Sequence, residues 1–271
     1  MRIINKMLMY ILISAVIVSI IFPFWWMILS SFKPSTELFI FPPVIWPKQF
    51  TFENYISVWK SIPLLRYFVN TVVFAGGVTV ISLLFDSMAG YAFARIDFKF
   101  REPLFIAILI TMMIPFQVIM IPLFVEIYKF GLLDSYMGLI IPRATSAFGI
   151  YMMRSFFVSL PKDLEEAARV DGLNEYRIFW NIMLPLCKPA FVTLGIIILM
   201  NNWNDLLYPM MLTSSTEMRT LSAGLAMFVG DKVIEYGPML AASALSILPL
   251  FILYLFAQKY FIEGVATSGL K

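Results

Sequence analysis

Three long stretches without a charged side chain constrain this sequence more than any other feature. They lie between Lys6 and Lys33, between Glu102 and Glu126, and between Glu235 and Lys259. A helix needs about 20 predominantly apolar residues to cross the hydrocarbon core of a bilayer, and each stretch is long enough. The chain is 61% hydrophobic, well above the roughly 45–50% of an ordinary soluble domain. The sequence therefore predicts an all-α membrane protein.

Three further apolar segments are interrupted or flanked by charges, which include Asp86 and Arg143. The six segments together predict one transmembrane domain over residues 1–271. Its spans are expected near 8–30, 68–92, 103–125, 137–157, 189–212 and 238–260, and the fourth is the least well defined. The first span is too long for a signal peptide and lacks a small-x-small cleavage site, so we expect it to be retained.

The distribution of Lys and Arg predicts the orientation. Most of the 20 basic residues fall in segments that share one side of the membrane with both chain ends. Basic residues near a span resist translocation, so that side is expected to be the cytoplasm. The sequence thus predicts a multi-pass protein of the cytoplasmic membrane with both termini inside.

Catalytic and metal-binding groups are scarce. The chain has no histidine and one cysteine, Cys187, which removes the commonest general base and the usual clusters of metal ligands. The C-terminal GVATSGLK has the glycine spacing of a phosphate-binding loop, but Leu270 stands where that loop requires lysine. We expect a transport subunit that is not an enzyme and binds no cofactor or metal of its own.

A polar loop at 158–188, called the elbow below, stands out from these apolar surroundings. Acidic residues at 163–166 suit the start of a short helix, and Gly172 suits a left-handed stop. A second short helix is expected from about Glu175 to Met183, ending before Pro185. Two helices joined at a glycine predict a compact protrusion on the cytoplasmic side.

The elbow carries a recognisable motif. Its fixed positions are Glu166-Ala167-Ala168, Gly172 after three residues, and Ile182-x-Leu184-Pro185 after nine more. This pattern resembles the EAA signature of binding-protein-dependent ABC importer permeases. The phrases SFKPSTELF, AGYAFARIDF and NNWNDLLYP are similar to the carbohydrate-uptake branch of that family, in the shorter permease of the maltose-transporter type. The resemblance covers essentially the whole chain.

The resemblance implies an architecture and a set of partners. It implies the six-helix ABC importer permease fold with a cytoplasmic coupling helix, a second homologous permease, two ATPase subunits that bind ATP and Mg, and an extracytoplasmic solute-binding protein. Glu166 would pair with a basic residue of the ATPase, Ala167 and Ala168 would allow close approach, and Gly172 would form the turn. The full set expected at the ATPase contact is Glu165, Glu166, Ala167, Ala168, Asp171, Gly172, Ile182, Leu184 and Pro185.

A second polar cluster, at the end of the fifth span, is the candidate for substrate or pathway contacts: Asn201, Asn202, Trp203, Asn204, Asp205 and Tyr208. Amides and carboxylates can hydrogen-bond to hydroxyl groups, and polar residues inside a membrane are functional candidates. These residues could instead shape a gate or dock the binding protein. A carbohydrate is the expected substrate, with a polyol or a glycerol-phosphate as alternatives.

Two other classes are weaker alternatives. An ATP-independent secondary transporter needs intramembrane ion ligands or an inverted repeat, and the sequence offers Asp86 and no evident repeat. Asp86 could serve as a proton or cation site, or it could be a structural residue that pairs with Arg95 or lies at an interface, which we favour. A membrane enzyme is disfavoured by the missing catalytic groups.

Overall fold

The computed structural model describes residues 2–226 and 235–268, and this part of the chain is helical with no β-strand. The two chain ends, residues 1 and 269–271, lie outside the described range, so the cytoplasmic location of both termini stays a prediction. The helices are α1 (Arg2–Ser31), α2 (Ser35–Leu38), α3 (Glu53–Ser61), α4 (Leu64–Arg95), α5 (Arg101–Thr111), α6 (Phe116–Lys129), α7 (Tyr136–Ile140), α8 (Ala147–Ser159), α9 (Asp163–Val170), α10 (Glu175–Ile178), α11 (Leu184–Leu186), α12 (Lys188–Trp203), α13 (Leu207–Leu212), α14 (Leu221–Leu225) and α15 (Tyr236–Ser268). A 3-10 turn at Ile141–Arg143 precedes α8, and a π-helical turn at Phe179–Met183 joins α10 to α11.

Three predicted spans correspond to single long helices. Asn5–Ser31, Leu64–Arg95 and Tyr236–Leu255 are each long and apolar enough to cross a bilayer, with mean hydropathies of 2.5, 2.0 and 2.0. They match the spans predicted near 8–30, 68–92 and 238–260. These apolar runs have few charged side chains, among them the buried Asp86 in α4, and α1 and α15 continue through Pro23 and Pro249.

The other three predicted spans are bent or broken. Helices α5 and α6 meet at 98°, where Pro115 precedes the first residue of α6 with an extended backbone; proline has no N–H to continue the preceding helix. The fourth predicted span is divided into α7, the 3-10 turn containing Pro142, and α8. The fifth is α12 followed by the separate α13. Because a bent pair can be one span or a re-entrant loop, the number of six crossings stays a prediction.

The chain forms two compact units. The first combines the described residues of 1–65 and 224–251. In it, the side-chain amide of Asn54 donates to the carbonyl oxygens of Ser31 and Lys33, both at 2.8 Å. The buried Lys33 ammonium donates to the Val44 carbonyl and lies over the Trp26 ring at 4.5 Å. These contacts fix the segment that follows α1.

The second unit combines residues 66–223 with the described part of 252–271, and it contains both candidate sites. Its core is built by α4, α8, the elbow and α12, with Phe74, Met153, Phe157, Met183 and Leu194 among the fully or almost fully buried side chains. Close contact between α4 and α8 depends on a glycine: a Cβ atom at Gly90 would lie 2.7 Å from the Met153 Cβ atom. The two helices are therefore in near-backbone contact.

Candidate functional site

The elbow has the predicted construction, with one difference in its second helix. Helix α9 begins at Asp163 with three acidic residues in its first turn, and Gly172 adopts the left-handed conformation at φ 81°, which confirms the stop. Asn174 then caps α10 by accepting the N–H of Arg177 at 2.9 Å. The second helix does not end before Pro185: it widens into the π-helical turn and continues as α11, where Pro185 occupies an early position that needs no N–H donor.

Helix α9 presents two different faces. Glu165 and Ala168 are buried, at 3% and 4% exposure, whereas Glu166 and Ala167 are exposed and Val170 is 88% exposed. The two adjacent glutamates thus point about 100° apart around the helix. Of the two alanines expected to allow close approach of another surface, Ala167 lies on the outer face and Ala168 packs in the chain's own core.

The remaining motif residues support the elbow from within or shape its ends. Ile182 and Leu184 pack against the core of the second unit. Asp171 ends α9, with its N–H donating to the Ala167 carbonyl at 3.0 Å, and Pro185 is exposed. These positions hold the shape that presents the outer face of α9.

A ring of charged and hydroxyl groups holds the inner face of α9. Arg95, at the end of α4, lies 3.2 Å from Glu165 (Nε to Oε1), and both side chains are only 3% exposed. These two atoms are not in hydrogen-bond geometry, so the contact is an ion pair. Arg169 lies 3.6 Å from Glu165 and donates to Glu175 at 2.7 Å. The Tyr91 hydroxyl completes the ring by donating to Glu175 at 2.8 Å.

The pKa values of the two carboxylates in this ring are shifted in opposite directions. Burial raises the pKa of Glu165, and the positive charges of Arg95 and Arg169 only partly oppose it. The hydrogen bond from Arg169 lowers the pKa of Glu175, with a further contribution from the Tyr91 hydroxyl. The ring therefore combines a desolvated carboxylate with one that is well solvated by donors.

The second candidate site is an open cavity of about 520 Å³. One wall comes from α4 and the start of α8, through Ser82, Thr145 and Ser146. The opposite wall comes from α12, through Asn201 and Asn202, and the rest is lined mainly by apolar and aromatic residues: Val78, Phe116, Ile119, Leu123, Pro142, Arg143, Phe148, Ile197, Ile198 and Tyr208. Hydroxyls, amides and aromatic rings thus face one space.

Arg143 organises the polar part of this cavity. Its guanidinium donates to the Asn202 side-chain oxygen at 2.9 Å, forms an ion pair with Asp205 and lies 4.1 Å from the Tyr208 ring centroid. The Tyr208 hydroxyl donates to the carbonyl oxygens of Gly138 and Leu139. Sequence reasoning did not select Arg143 as a site residue, although a basic residue inside an apolar segment is a signal of a site.

The structure brings together part of the predicted substrate cluster. Asn201, Asn202 and Tyr208 line the cavity, and Asp205 is held beside it by Arg143. Trp203 does not line it: its ring packs edge-on against Phe68 at 5.8 Å. Asn204 is exposed and donates to the Met200 carbonyl of its own helix.

Asp86 does not pair with Arg95, because the two residues lie about 14 Å apart along α4 and Arg95 is engaged with Glu165. Its carboxylate accepts hydrogen bonds from the hydroxyls of Ser82 (2.7 Å), Thr145 (2.6 Å) and Ser146 (3.0 Å), and from the Ser146 N–H at 2.9 Å. Of the two structural alternatives, pairing with Arg95 is therefore wrong, whereas a structural role for Asp86 where α4 meets the start of α8 fits these contacts. In the part of the chain that the structure describes, no three His, Cys, Asp or Glu side chains come together as metal ligands.

Comparison with known proteins identifies the family. Residues 86–266 match the family of binding-protein-dependent transport system inner membrane components. The chain is 39% identical over 254 residues to the arabinooligosaccharides transport system permease protein AraQ of Halalkalibacterium halodurans, covering 93% of this chain and 91% of the relative. It is 34% identical over 268 residues to the trehalose/maltose transport system permease protein MalG of Thermococcus litoralis, covering 96% and 95%.

A solved structure supports the same family assignment. The chain superimposes on a subunit of a bacterial ABC transporter involved in the import of the acidic polysaccharide alginate, with a TM-score of 0.86, 27% identity, and coverage of 95% of this chain and 96% of that one. Members of this family are transport subunits rather than enzymes. The chain belongs to the binding-protein-dependent inner-membrane permease family of ABC importers.

Proposed function

We propose that this chain is the shorter permease subunit of a carbohydrate importer and works with a second permease, two ATPase subunits and an extracytoplasmic binding protein. The ATPases bind ATP and Mg, and their closure alternates access to the pathway between the two sides of the membrane. The substrate class is supported by the relatives, which carry the names of oligosaccharide and disaccharide permeases. Both termini face the cytoplasm in this proposal, as the basic-residue distribution favours.

The two-faced character of α9 carries the proposed coupling role. A helix held inside by Glu165 leaves Glu166 and Ala167 free to contact another protein. Val170 on the same helix and Tyr176 on α10, at 88% and 64% exposure, add apolar surface to the elbow. An exposed acidic group on a surface with small and apolar side chains can fit into a cleft that contains a basic residue. We assign that cleft to the ATPase.

The cavity residues Asn201, Asn202 and Tyr208 are proposed as pathway contacts for the sugar. Amide groups can both donate to and accept from sugar hydroxyls, and aromatic faces pack against the C–H groups of a sugar ring. Trp203 and Asn204 are outside the cavity lining, so we assign them no contact with sugar. Asp205 acts through Arg143, which it holds in place.

A Glu166→Lys variant tests the coupling role. The transporter is purified in mild detergent, subunits are counted by native mass, and uptake of arabinotriose and maltotriose is measured in proteoliposomes. Charge reversal is expected to reduce uptake and substrate-stimulated ATP hydrolysis at least tenfold while membrane insertion is unchanged. Asp97→Lys, a charge reversal at a side chain that is 97% exposed but lies outside the elbow, is the matched control.

Two results would contradict the proposal. Normal coupling in Glu166→Lys would remove Glu166 from the ATPase contact. A wild-type chain that purifies without ATPase subunits and transports without ATP would exclude the importer assignment altogether.

A further inference from the structure

Asp86 links α4 to the beginning of α8. Its four hydrogen bonds come from one donor on α4, Ser82, and from Thr145 and Ser146 at the start of α8. Ser146 is also the N-cap of α8, where its hydroxyl accepts the Gly149 N–H at 2.9 Å. A carboxylate at a helix N-terminus is favoured by the helix dipole. The carboxylate is fully buried, so this link is not shared with water.

Arg95 links α4 to the other end of α8. One guanidinium nitrogen donates to the carbonyl oxygens of Phe157 and Leu160, which are at the C-terminus of α8. Carbonyl groups at a helix C-terminus lack intrahelical partners and attract cations. The same guanidinium forms the ion pair with Glu165 on α9. One side chain thus joins three helices.

Between these two links, α4 and α8 fit together without room to slide. A Cβ atom at Gly149 would lie 2.0 Å from the Asp86 carboxylate, and one at Gly90 would lie 2.7 Å from the Met153 Cβ atom. The Arg154 Nε–H also donates to the Phe93 carbonyl at 3.2 Å. Close-packed surfaces of this kind move as one body rather than deform continuously.

This pair of helices reaches both candidate sites. Its cytoplasmic end carries Arg95 and Tyr91, which hold the inner face of α9. Further along α4, about 14 Å away at 1.5 Å per residue, Asp86 anchors Thr145 and Ser146, and both of these line the cavity. The facing wall, on α12, is connected to this side through Arg143 and Asn202.

We infer that Asp86 and Arg95 are positioning residues that make α4, α8 and α9 one rigid body, which transmits motion of the elbow to one wall of the cavity. This inference rests on the proposed function, in which ATP binding by partner subunits displaces α9. It gives Asp86 a role in transport that requires neither proton nor cation binding. The motion delivered at the cavity depends on both links, because each fixes one end of α8 to α4 and loss of either leaves that end held by packing alone.

Distance measurement across the cavity tests this directly. In a Cys187→Ala background, spin labels at Phe148→Cys and Ile197→Cys report the separation of the two cavity walls in the complete transporter. The distance is compared between the nucleotide-free complex and the complex with a non-hydrolysable ATP analogue, so no sugar is needed. The parent is expected to show a nucleotide-dependent shift, and Asp86→Ala or Arg95→Met is expected to reduce it by more than half with the ATPases still bound.

Control variants separate this role from general damage. Ser155→Ala removes an exposed α8 hydroxyl that bonds only to the Tyr151 carbonyl of its own helix, and the shift should stay unchanged. Thr145→Val removes one donor to Asp86 while keeping the side-chain shape, so it gives a smaller reduction even if Asp86→Ala does not insert. A full shift in Arg95→Met and Thr145→Val would overturn the inference. A parent that shows no shift would instead count against the proposed ATP-driven mechanism.

Discussion

Two arginine–carboxylate pairs in the second unit show how differently the same chemistry can be used. Arg95 and Glu165 are each 3% exposed, and Arg95 is further held by two backbone carbonyls. Arg143 and Asp205 are 25% and 17% exposed, and the other contacts of Arg143 are to the Asn202 side chain and to the rings of Tyr208 and Phe116. Backbone partners cannot change rotamer, whereas side-chain partners can.

The contrast suggests that the two ion pairs have different roles. A buried pair whose loss leaves an uncompensated charge is a strong constraint on position. A partly exposed pair contributes less, since water can replace either partner. The first pair fixes the elbow to α4, and the second lies beside the cavity proposed as the sugar pathway, where Arg143 also holds Asn202 of the facing wall.

The largest expected effect is at the buried pair. Arg95→Met keeps much of the side-chain length, but it leaves the buried Glu165 carboxylate without its ion-pair partner and the Phe157 and Leu160 carbonyls without this donor. Removing one partner of a buried pair costs about 3–5 kcal/mol. We expect a large fall in the midpoint of thermal unfolding of the detergent-solubilised chain. Glu166→Gln, next to Glu165 in sequence but on the exposed face of α9, should change it little. Equal losses in the two variants would mean that the Arg95–Glu165 pair is not a structural anchor.

A smaller effect is expected at the cavity pair. Asp205→Asn should cost about 1 kcal/mol, since a partly exposed ion pair contributes little to stability. A double-mutant cycle between Arg143 and Asp205 measures their coupling free energy, for comparison with the same cycle at Arg95 and Glu165. Asn204→Ala, on the exposed side of the same segment, is the control. A coupling at Arg143 and Asp205 as large as that at the buried pair would remove the proposed difference between the two regions.

The sequence predicts the parts of this molecule that depend on local pattern. Apolar runs predict α1, α4 and α15, and the spacing of the motif predicts the elbow and its turn at Gly172. The bends are harder to predict from the sequence, because proline occurs in different structural contexts. Pro115 precedes a helix at a 98° bend, while Pro122 and Pro249 lie inside helices. Which of these outcomes occurs depends on the packing of neighbouring helices.

The candidate sites were predicted unevenly for a related reason. Adjacent glutamates at 165 and 166 are equivalent in sequence, and only the position of Arg95, distant along the chain, decides which one is buried. Likewise the pattern at 201–208 locates the cavity but cannot distinguish Asn202, which lines it, from Trp203, which packs against Phe68. Contacts between residues distant in the sequence determine which of these side chains are buried or line the cavity, and the local sequence pattern does not show it.

The smallest expected effect is a difference in how Glu165 and Glu175 make the unfolding free energy depend on pH. The pKa of Glu175 is lowered below its ordinary value of 4.5, chiefly by the Arg169 hydrogen bond, so this group stabilises the fold above that value and the benefit is lost as pH falls through the lowered pKa. The pKa of Glu165 is raised above 4.5 by burial, so its ionisation weakens the fold as pH rises from 4.5 through the raised pKa. Unfolding free energy measured against pH should therefore lose its low-pH rise in Glu175→Gln and its fall above 4.5 in Glu165→Gln. Parallel profiles for the two variants would contradict opposite tuning, and with it the view that α9 is held by one desolvated carboxylate and one that is stabilised by donors.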